Sequence, residues 1–170
     1  MGLPGRRLEI AGLRAEHRDA PKARRVSARE YPERPWVGIG CLAFRGEDVL
    51  LVRRSHPPRA GEWSVPGGAQ HLGETAESAA RRELLEEAGI EVGPLSLVAC
   101  VDVLHRNEAG AVRFHYTIID FAGRWISGEP RAGDDASEAR FFAPAEIPGL
   151  GLWEEAVRVI DTARKRLAES

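Results

Sequence analysis

The sequence predicts an α/β fold in which a mixed sheet is packed between two helices. Segments with the apolar patterns of strands lie on both sides of one central segment with helical periodicity. A second amphipathic segment follows the last predicted strand. With 170 residues, 43% of them apolar and 29% charged, the chain is long enough for one domain with a substantial core.

Charge and cysteine content argue against several classes of protein. The net charge of −2 gives no indication of nucleic-acid binding. Cys41 and Cys100 each lie in an apolar run and are expected to be buried free thiols. The sequence has no cluster of cysteine and histidine residues, so a zinc site is not expected. No apolar stretch approaches membrane-spanning length, and no signal-peptide core follows Met1. We therefore expect a soluble cytoplasmic protein with no membrane partner.

Residues 1–35 differ in composition from the rest of the chain. They carry nine Lys or Arg and five Asp or Glu, a net charge of +4 against −6 for the remainder. Pro21, Pro32 and Pro35 interrupt any long helix. We expect a basic, mobile or loosely attached N-terminal arm over residues 1–35 and a domain over residues 36–170. An arm that packs across a dimer partner is the alternative.

Local patterns define the elements before the central helix. Residues 37–44 and 49–54 are predicted to form a hairpin around a turn at residues 46–48. Residues 63–66 form a short extended piece, because the residue before a proline is biased away from helix. A turn is predicted at Gly67 and Gly68.

The central segment, residues 68–90, carries the strongest pattern in the chain. Its helix is predicted to begin at Thr75, a good N-cap residue, and to end at Gly89 in left-handed conformation. A stripe of small and apolar residues recurs at helical spacing and predicts the buried face: Ala76, Ala79, Ala80 and Leu84.

Three glutamates near the end of this helix share one face. Glu83, Glu86 and Glu87 are three and four residues apart, so their side chains project in similar directions. Like charges at this spacing repel, which indicates a cation between them. Because their donor atoms are all oxygen, a hard divalent ion such as Mg²⁺ or Mn²⁺ is favoured.

The elements after the helix follow from changes in periodicity. Residues 95–104 are almost continuously apolar, which predicts a strand covered on both faces. Residues 112–121 alternate and predict a half-buried strand. A loop with two adjacent aspartates over residues 128–137 leads to a short last strand over residues 138–142. Residues 153–167 have the spacing of an amphipathic helix.

The central segment resembles the Nudix box, Gx5Ex7REUxEExGU, in which U is a bulky aliphatic residue. Every fixed position is filled without a gap, by Gly68, Glu74, Arg82, Glu83, Leu84, Glu86, Glu87, Gly89 and Ile90. A looser likeness extends from about Trp36 to Leu167. The resemblance implies the Nudix α/β/α sandwich, with a mixed sheet between the catalytic helix and the C-terminal helix.

The resemblance also implies a reaction and its residues. Nudix enzymes use water and a divalent cation, Mg²⁺ or Mn²⁺, to cleave the pyrophosphate bond of a nucleoside diphosphate linked to another moiety. Such a cation overcomes the repulsion between glutamates and diphosphate. Arg82 is expected to orient a glutamate, and Glu74 to support the loop–helix junction or complete the metal shell. The implied metal ligands are the carbonyl oxygen of Gly67 and the carboxylates of Glu83, Glu86 and Glu87.

The general base and the substrate contacts stay open at this point. Nudix enzymes use either a box glutamate or an acid on a later loop as the base. The candidates on that loop are Asp134, Asp135 and Glu138, of which Glu138, at the start of a strand, is the best placed. Because Arg53 and Arg54 end a strand, at most one points inward, and surface exposure is the alternative for each. The candidates for substrate binding are Arg53, Arg54 and Gly68.

The box does not determine the substrate. The segment GDDASEARFF and the Trp-led helix after it look most like bacterial ADP-ribose pyrophosphatase-type members of the family. We therefore expect ADP-ribose or a nucleoside diphosphate sugar. The alternatives are a house-cleaning nucleoside triphosphate pyrophosphatase and a non-catalytic Nudix-fold nucleotide sensor. The expected partner is a small-molecule nucleotide and not a nucleic acid, and a homodimer is compatible with the resemblance.

Overall fold

The structure is a computed structural model that describes residues 29–56, 59–133 and 135–169. Four strands precede the first α-helix, and four more lie between it and the helices at the C-terminal end. The elements are β1 (Trp36–Arg45), β2 (Asp48–Arg54), β3 (Trp63–Ser64), β4 (Gly67–Ala69), α1 (Ala76–Ala88), β5 (Glu91–Val92), β6 (Ser96–Arg106), β7 (Val112–Ser127), β8 (Ala136–Phe142), a 3-10 helix (Pro144–Leu150) and α2 (Glu154–Glu169).

The sheet is mixed, as the sequence predicts. β1 runs parallel to β7 from the pair Trp36 and Tyr116 to the pair Phe44 and Arg124. β1 is antiparallel to β2 and to β4, and β7 is antiparallel to β6. β8 pairs with β2 on the other side of the sheet. The parallel pair thus lies at the centre, and β4 brings the start of the box against β1.

Two hydrophobic cores lie on opposite faces of the sheet, because successive side chains of a strand point to opposite sides. Cys41 of β1 packs with Leu84 of α1 in one core. Phe44 of β1 packs with Ile160 of α2 in the other. All four side chains are almost completely buried, and each apolar one contributes about 1.5–3 kcal/mol of transfer free energy. The α/β/α layering is confirmed.

The ends of α1 have the predicted caps. The side-chain oxygen of Thr75 accepts a hydrogen bond from the amide of Ser78 at 3.1 Å. Gly89 has φ of +67°, and its amide donates to the carbonyl of Leu85 at 2.9 Å. These bonds satisfy backbone groups that a helix end leaves without partners. The glutamates near the end of α1 are therefore carried on a helix with well-defined limits.

Three local predictions were wrong. Gly67 and Gly68 do not form a turn, because they pair with β1 as strand β4. β6 is not covered on both faces: it lies at the sheet edge beside β7, and Val98 is its one buried residue. Cys41 is buried but Cys100, in β6, is exposed. The last two errors share a cause, since α2 covers only one face of this edge strand.

The end of the predicted N-terminal arm contacts the domain. The amide of Tyr31 donates to the carbonyl of Arg113 at 2.8 Å. The guanidinium of Arg113 donates to the carboxylate of Glu30 at 2.6 Å. The prediction for residues 1–28 lies outside the described residues. No helix in the described part of the chain is long and apolar enough to span a membrane.

Candidate active site

β4 and α1 bring Gly67 and Gly68 against the glutamates of the box. The amide of Gly67 donates to Oε2 of Glu87 at 2.9 Å. Gly68 lies so close to Glu83 that a Cβ added to it would be 2.3 Å from Oε1 of that side chain. A glycine at position 68 therefore leaves room for the Glu83 carboxylate beside the backbone of β4.

Arg82 binds the acidic groups on both sides of it. Its guanidinium donates to both carboxylate oxygens of Glu74, at 2.6 and 2.9 Å. Its Nη1 donates to Glu83 at 2.7 Å and to Glu86 at 3.2 Å. Hydrogen bonds from Arg82 and from the His71 amide lower the pKa of Glu74 to about 2. Arg82 thus orients Glu83 and ties α1 to the loop before it.

A cleft of about 420 Å³ opens in front of the glutamate face. It is lined by Glu83, Glu86, Glu87, Gly133 and Asp135. Burial is the main cause that raises the pKa of Glu87 to about 7; the Gly67 amide opposes the shift, and the charge of Glu83 adds to it. Four carboxylates thus line one cleft, and Arg82 pairs with two of them, Glu83 and Glu86.

The chemistry of this cleft fits a hard divalent cation. Its side-chain donors are all carboxylate oxygens, which Mg²⁺ and Mn²⁺ prefer. No three acidic, histidine or cysteine side chains within the described residues converge at ligand distance. Arg82 contacts Glu83 and Glu86, and the Gly67 amide contacts Glu87. The oxygen-only donor set and the raised pKa of Glu87 are what support the fit.

The structure separates the acids of the later loop. Asp135 lines the cleft with the box glutamates, and its carboxylate lies 3.4 Å from Nδ1 of His56. Glu138 lies outside the lining of the cleft, in β8 opposite Arg53, and accepts a hydrogen bond from that arginine at 3.4 Å. Asp134 is outside the described residues.

The two arginines at the end of β2 point in different directions. Arg53 donates from Nε to the carbonyl of Gly61 at 2.8 Å and pairs with Glu138. Arg54 has a buried Nε without a hydrogen-bond partner in the described part of the structure. Its positive charge also lowers the pKa of Glu87. Of the two arginines, Arg54 is therefore the one whose charge acts on a carboxylate of the cleft.

Gly133 is a part of the cleft that the sequence did not indicate. It lies in the loop between β7 and β8 and contributes backbone to the cleft wall. A glycine in a loop of glycines and aspartates is normally explained by the turn alone, so only the three-dimensional path shows its contact with α1. No pattern of side chains could have found it.

Comparison with known proteins places the chain in a family. Residues 34–163 match the NUDIX domain. ADP-ribose pyrophosphatase of Methanocaldococcus jannaschii is 34% identical over 123 residues, which are 72% of this chain and 70% of that protein. Putative 8-oxo-dGTP diphosphatase 2 of Mycobacterium tuberculosis is 39% identical over 100 residues, 58% of this chain and 67% of that protein.

A solved structure agrees with these relatives. The MutT NUDIX hydrolase of Burkholderia pseudomallei superposes with a TM-score of 0.65 at 30% identity, covering 76% of this chain and 98% of that one. The domain match also includes the complete box and the strands that present it. The chain is therefore a member of the Nudix family of hydrolases, enzymes that generally use a divalent metal ion, and it is a pyrophosphatase of that family.

Proposed function

We propose that this protein hydrolyses the pyrophosphate bond of ADP-ribose or a nucleoside diphosphate sugar with Mg²⁺ or Mn²⁺. The observation that carries the proposal is the cleft in which Asp135 and three box glutamates meet beside the backbone of β4. The groups that would hold the cation are the carboxylates of Glu83, Glu86 and Glu87 and the carbonyl oxygen of Gly67. When bound, the cation supplies positive charge for the diphosphate and lowers the pKa of water.

The residues of the chain position these groups. Arg82 holds the carboxylate of Glu83 by a charge-assisted hydrogen bond of 2.7 Å. The Gly67 amide holds Glu87, so both glutamates are fixed before substrate arrives. Fixed groups lose little entropy on binding, which favours catalysis by preorganised charge. Arg54, whose buried Nε has no hydrogen-bond partner among the described residues, is the group that we assign to a phosphate oxygen.

We assign the general base to Asp135. Its carboxylate is 77% exposed at the mouth of the cleft, where it can reach a water molecule beside a bound diphosphate. Glu138, the alternative from the same segment, lies outside the cleft lining and pairs with Arg53. Proton abstraction requires hydrogen-bond reach to the attacking water, and the position of Asp135 in the cleft satisfies this condition better.

The substrate class rests on the relatives. The relative described as an ADP-ribose pyrophosphatase aligns with 72% of this chain, whereas the putative 8-oxo-dGTP diphosphatase aligns with 58% at slightly higher identity. The second relative makes an oxidised nucleoside triphosphate the candidate to test beside ADP-ribose. The two reactions release different products, so one assay distinguishes them.

The test is a chromatographic product assay with Mg²⁺ and, separately, Mn²⁺. ADP-ribose should yield AMP and ribose 5-phosphate, whereas 8-oxo-dGTP would yield 8-oxo-dGMP and pyrophosphate. Turnover of the triphosphate alone would contradict the proposed substrate class. Binding of ADP-ribose without turnover of either compound would instead indicate a nucleotide sensor.

A glutamine substitution tests the metal assignment. Glu87→Gln should reduce kcat by at least about 10²-fold while the circular dichroism spectrum is unchanged, because a preorganised charge is lost. Glu77→Gln is the matched control, since Glu77 is an exposed glutamate in the first turn of the same helix. Equal activity of the Glu87→Gln variant and the wild type would contradict the assignment of Glu87.

A further inference from the structure

The loop between β7 and β8 is seated on the C-terminal end of α1. The amide of Arg131 donates to the carbonyl of Ala88, and the amide of Gly133 donates to the carbonyl of Glu87, each at 3.0 Å. These carbonyls belong to the last helical turn, where no partner within the helix exists. The loop therefore caps the helix that carries the glutamates.

Gly133 is the point of closest approach between loop and helix. A Cβ added to Gly133 would be 1.8 Å from the carbonyl oxygen of Glu86 and 3.0 Å from Cα of Glu87. Both obstacles are helix backbone, which cannot rotate away as a flexible side chain can. Because 3.0 Å is the lower limit of real Cβ contacts, any side chain at position 133 moves the loop away by about 1 Å or more.

The same loop delivers Asp135 to the cleft. The amide of Ala136 donates to the carbonyl of Gly133 at 3.2 Å, and the amide of Ser55 donates to the carbonyl of Asp135 at 3.1 Å. The backbone around Asp135 is thus held to Ser55, the residue after β2, on one side and, through Gly133, to the end of α1 on the other. A displacement at position 133 changes the distance from Asp135 to the glutamates.

We propose that Gly133 is a positioning residue of this active site. The absence of a side chain at position 133 lets the loop rest on the last turn of α1, which places the carboxylate of Asp135 against Glu83, Glu86 and Glu87. The role assigned to Asp135 rests on the proposed function. The placement of the loop rests on the hydrogen bonds and the close approach alone.

A double-mutant cycle on the full chain tests the proposal, with Gly133→Ala, Asp135→Asn and the two combined. Gly133→Ala should reduce kcat about 10²-fold, since a 1 Å misplacement has effects of that size. It should also weaken Mn²⁺ binding about 10-fold, measured by electron paramagnetic resonance without substrate, because Asp135 lines the cleft beside the three glutamates that would hold the cation and adds its negative charge to theirs. In the Asp135→Asn background, Gly133→Ala should change neither quantity, because the group that it misplaces is absent.

Gly149→Ala is the matched control, because Gly149 is exposed and a Cβ added to it meets nothing within 4 Å. It should bind Mn²⁺ and turn over substrate as the wild type does. Wild-type Mn²⁺ affinity and kcat in Gly133→Ala would overturn the proposal. A loss of kcat in the combined variant equal to the product of the losses in the two single variants would also overturn the proposal, since Gly133 would then act independently of Asp135.

Two further measurements test the proposal if the Gly133→Ala variant does not fold or if the wild type does not hydrolyse the test substrates. If Gly133→Ala does not fold, hydrogen exchange of the wild-type protein should show protected amides at Arg131 and Gly133, and exchange at the rate of an unstructured peptide would overturn the proposal. If the wild type hydrolyses neither test substrate, the proposed function fails. The Mn²⁺ affinities of the same four proteins then still decide whether Gly133 positions Asp135.

Discussion

Replacing Asp120 by asparagine should stabilise the protein at neutral pH. Asp120 lies in β7 and is 7% exposed, the one buried charged side chain among the described residues. A Cβ on the neighbouring Gly40 would be 2.1 Å from its Oδ1, so the carboxylate fills the space above that glycine. Burial, and then the negative charge of Glu155 in α2, raise the pKa of Asp120 from 3.8 to about 6. Arg158 engages the carboxylate of Glu155 at 3.0 Å.

The sign of the effect follows from where the protons are bound. Between pH 3.8 and about pH 6 the folded protein retains a proton on Asp120 that the unfolded chain has released. The free energy of unfolding therefore falls as the pH rises through this window. Above pH 6 both states are ionised, and the shift of about two units corresponds to a cost of about 3 kcal/mol. The neutral asparagine removes this cost.

Urea unfolding of the wild type and of Asp120→Asn at pH 4 and pH 8 measures the effect. The variant should be more stable by up to about 3 kcal/mol at pH 8 and by less than about 1 kcal/mol at pH 4. Glu155→Gln should give a smaller gain at pH 8, because it removes only the second cause of the shift. An Asp120→Asn variant with no gain at pH 8, or with equal gains at both pH values, would refute the reasoning.

Three further sets of substitutions test a phosphate contact, a helix cap and a core side chain. Arg54→Ala should lower kcat/KM about 10- to 100-fold in a steady-state assay, because Arg54 is the arginine that we assign to phosphate. Arg53→Ala should have a smaller effect in the same assay, because the Nε of Arg53 donates to the carbonyl of Gly61. Thr75→Ala should lower the free energy of unfolding by about 1 kcal/mol, whereas Thr75→Ser should retain the cap on Ser78 in urea titrations. Leu84→Ala should cost about 2–5 kcal/mol, because Leu84 is completely buried; a loss below 1 kcal/mol would mean that the core closes around the gap.

The helix α1 could be predicted because the sequence signals that define it are local. Helical geometry converts the spacing of Glu83, Glu86 and Glu87 into a common face whatever the rest of the chain does. The caps at Thr75 and Gly89 are equally local, and both occur as predicted. The positions of strands in the sheet depend on contacts distant in sequence. The same apolar run suits a central strand or an edge strand, so the exposed face of β6 could not be predicted from its own residues.

The choice between the acids of the later loop depends on contacts distant in sequence. Glu138 was the best placed by its position at the start of a strand, yet strand register puts it opposite Arg53. The loop that carries Asp135 is directed instead by its hydrogen bonds to the end of α1 and to Ser55. Neither the register nor the loop path is encoded within the segment itself, so sequence patterns could name the candidates, but their ranking used only position along the chain.

Glu87 in the cleft and Asp120 in β7 are two carboxylates whose negative charge destabilises the folded protein. Asp120 and Glu87 both have a raised pKa, and burial is the main cause for each. Glu87 differs because its surroundings are built around the charge, with the Gly67 amide on one oxygen and Arg54 nearby. Arg82 holds Glu83 and Glu86, and a backbone amide holds Glu87, against the repulsion between the three carboxylates. Their negative charge is what a divalent cation requires. Stability given up at such a position is consistent with function, since active sites commonly retain groups that a more stable fold would replace.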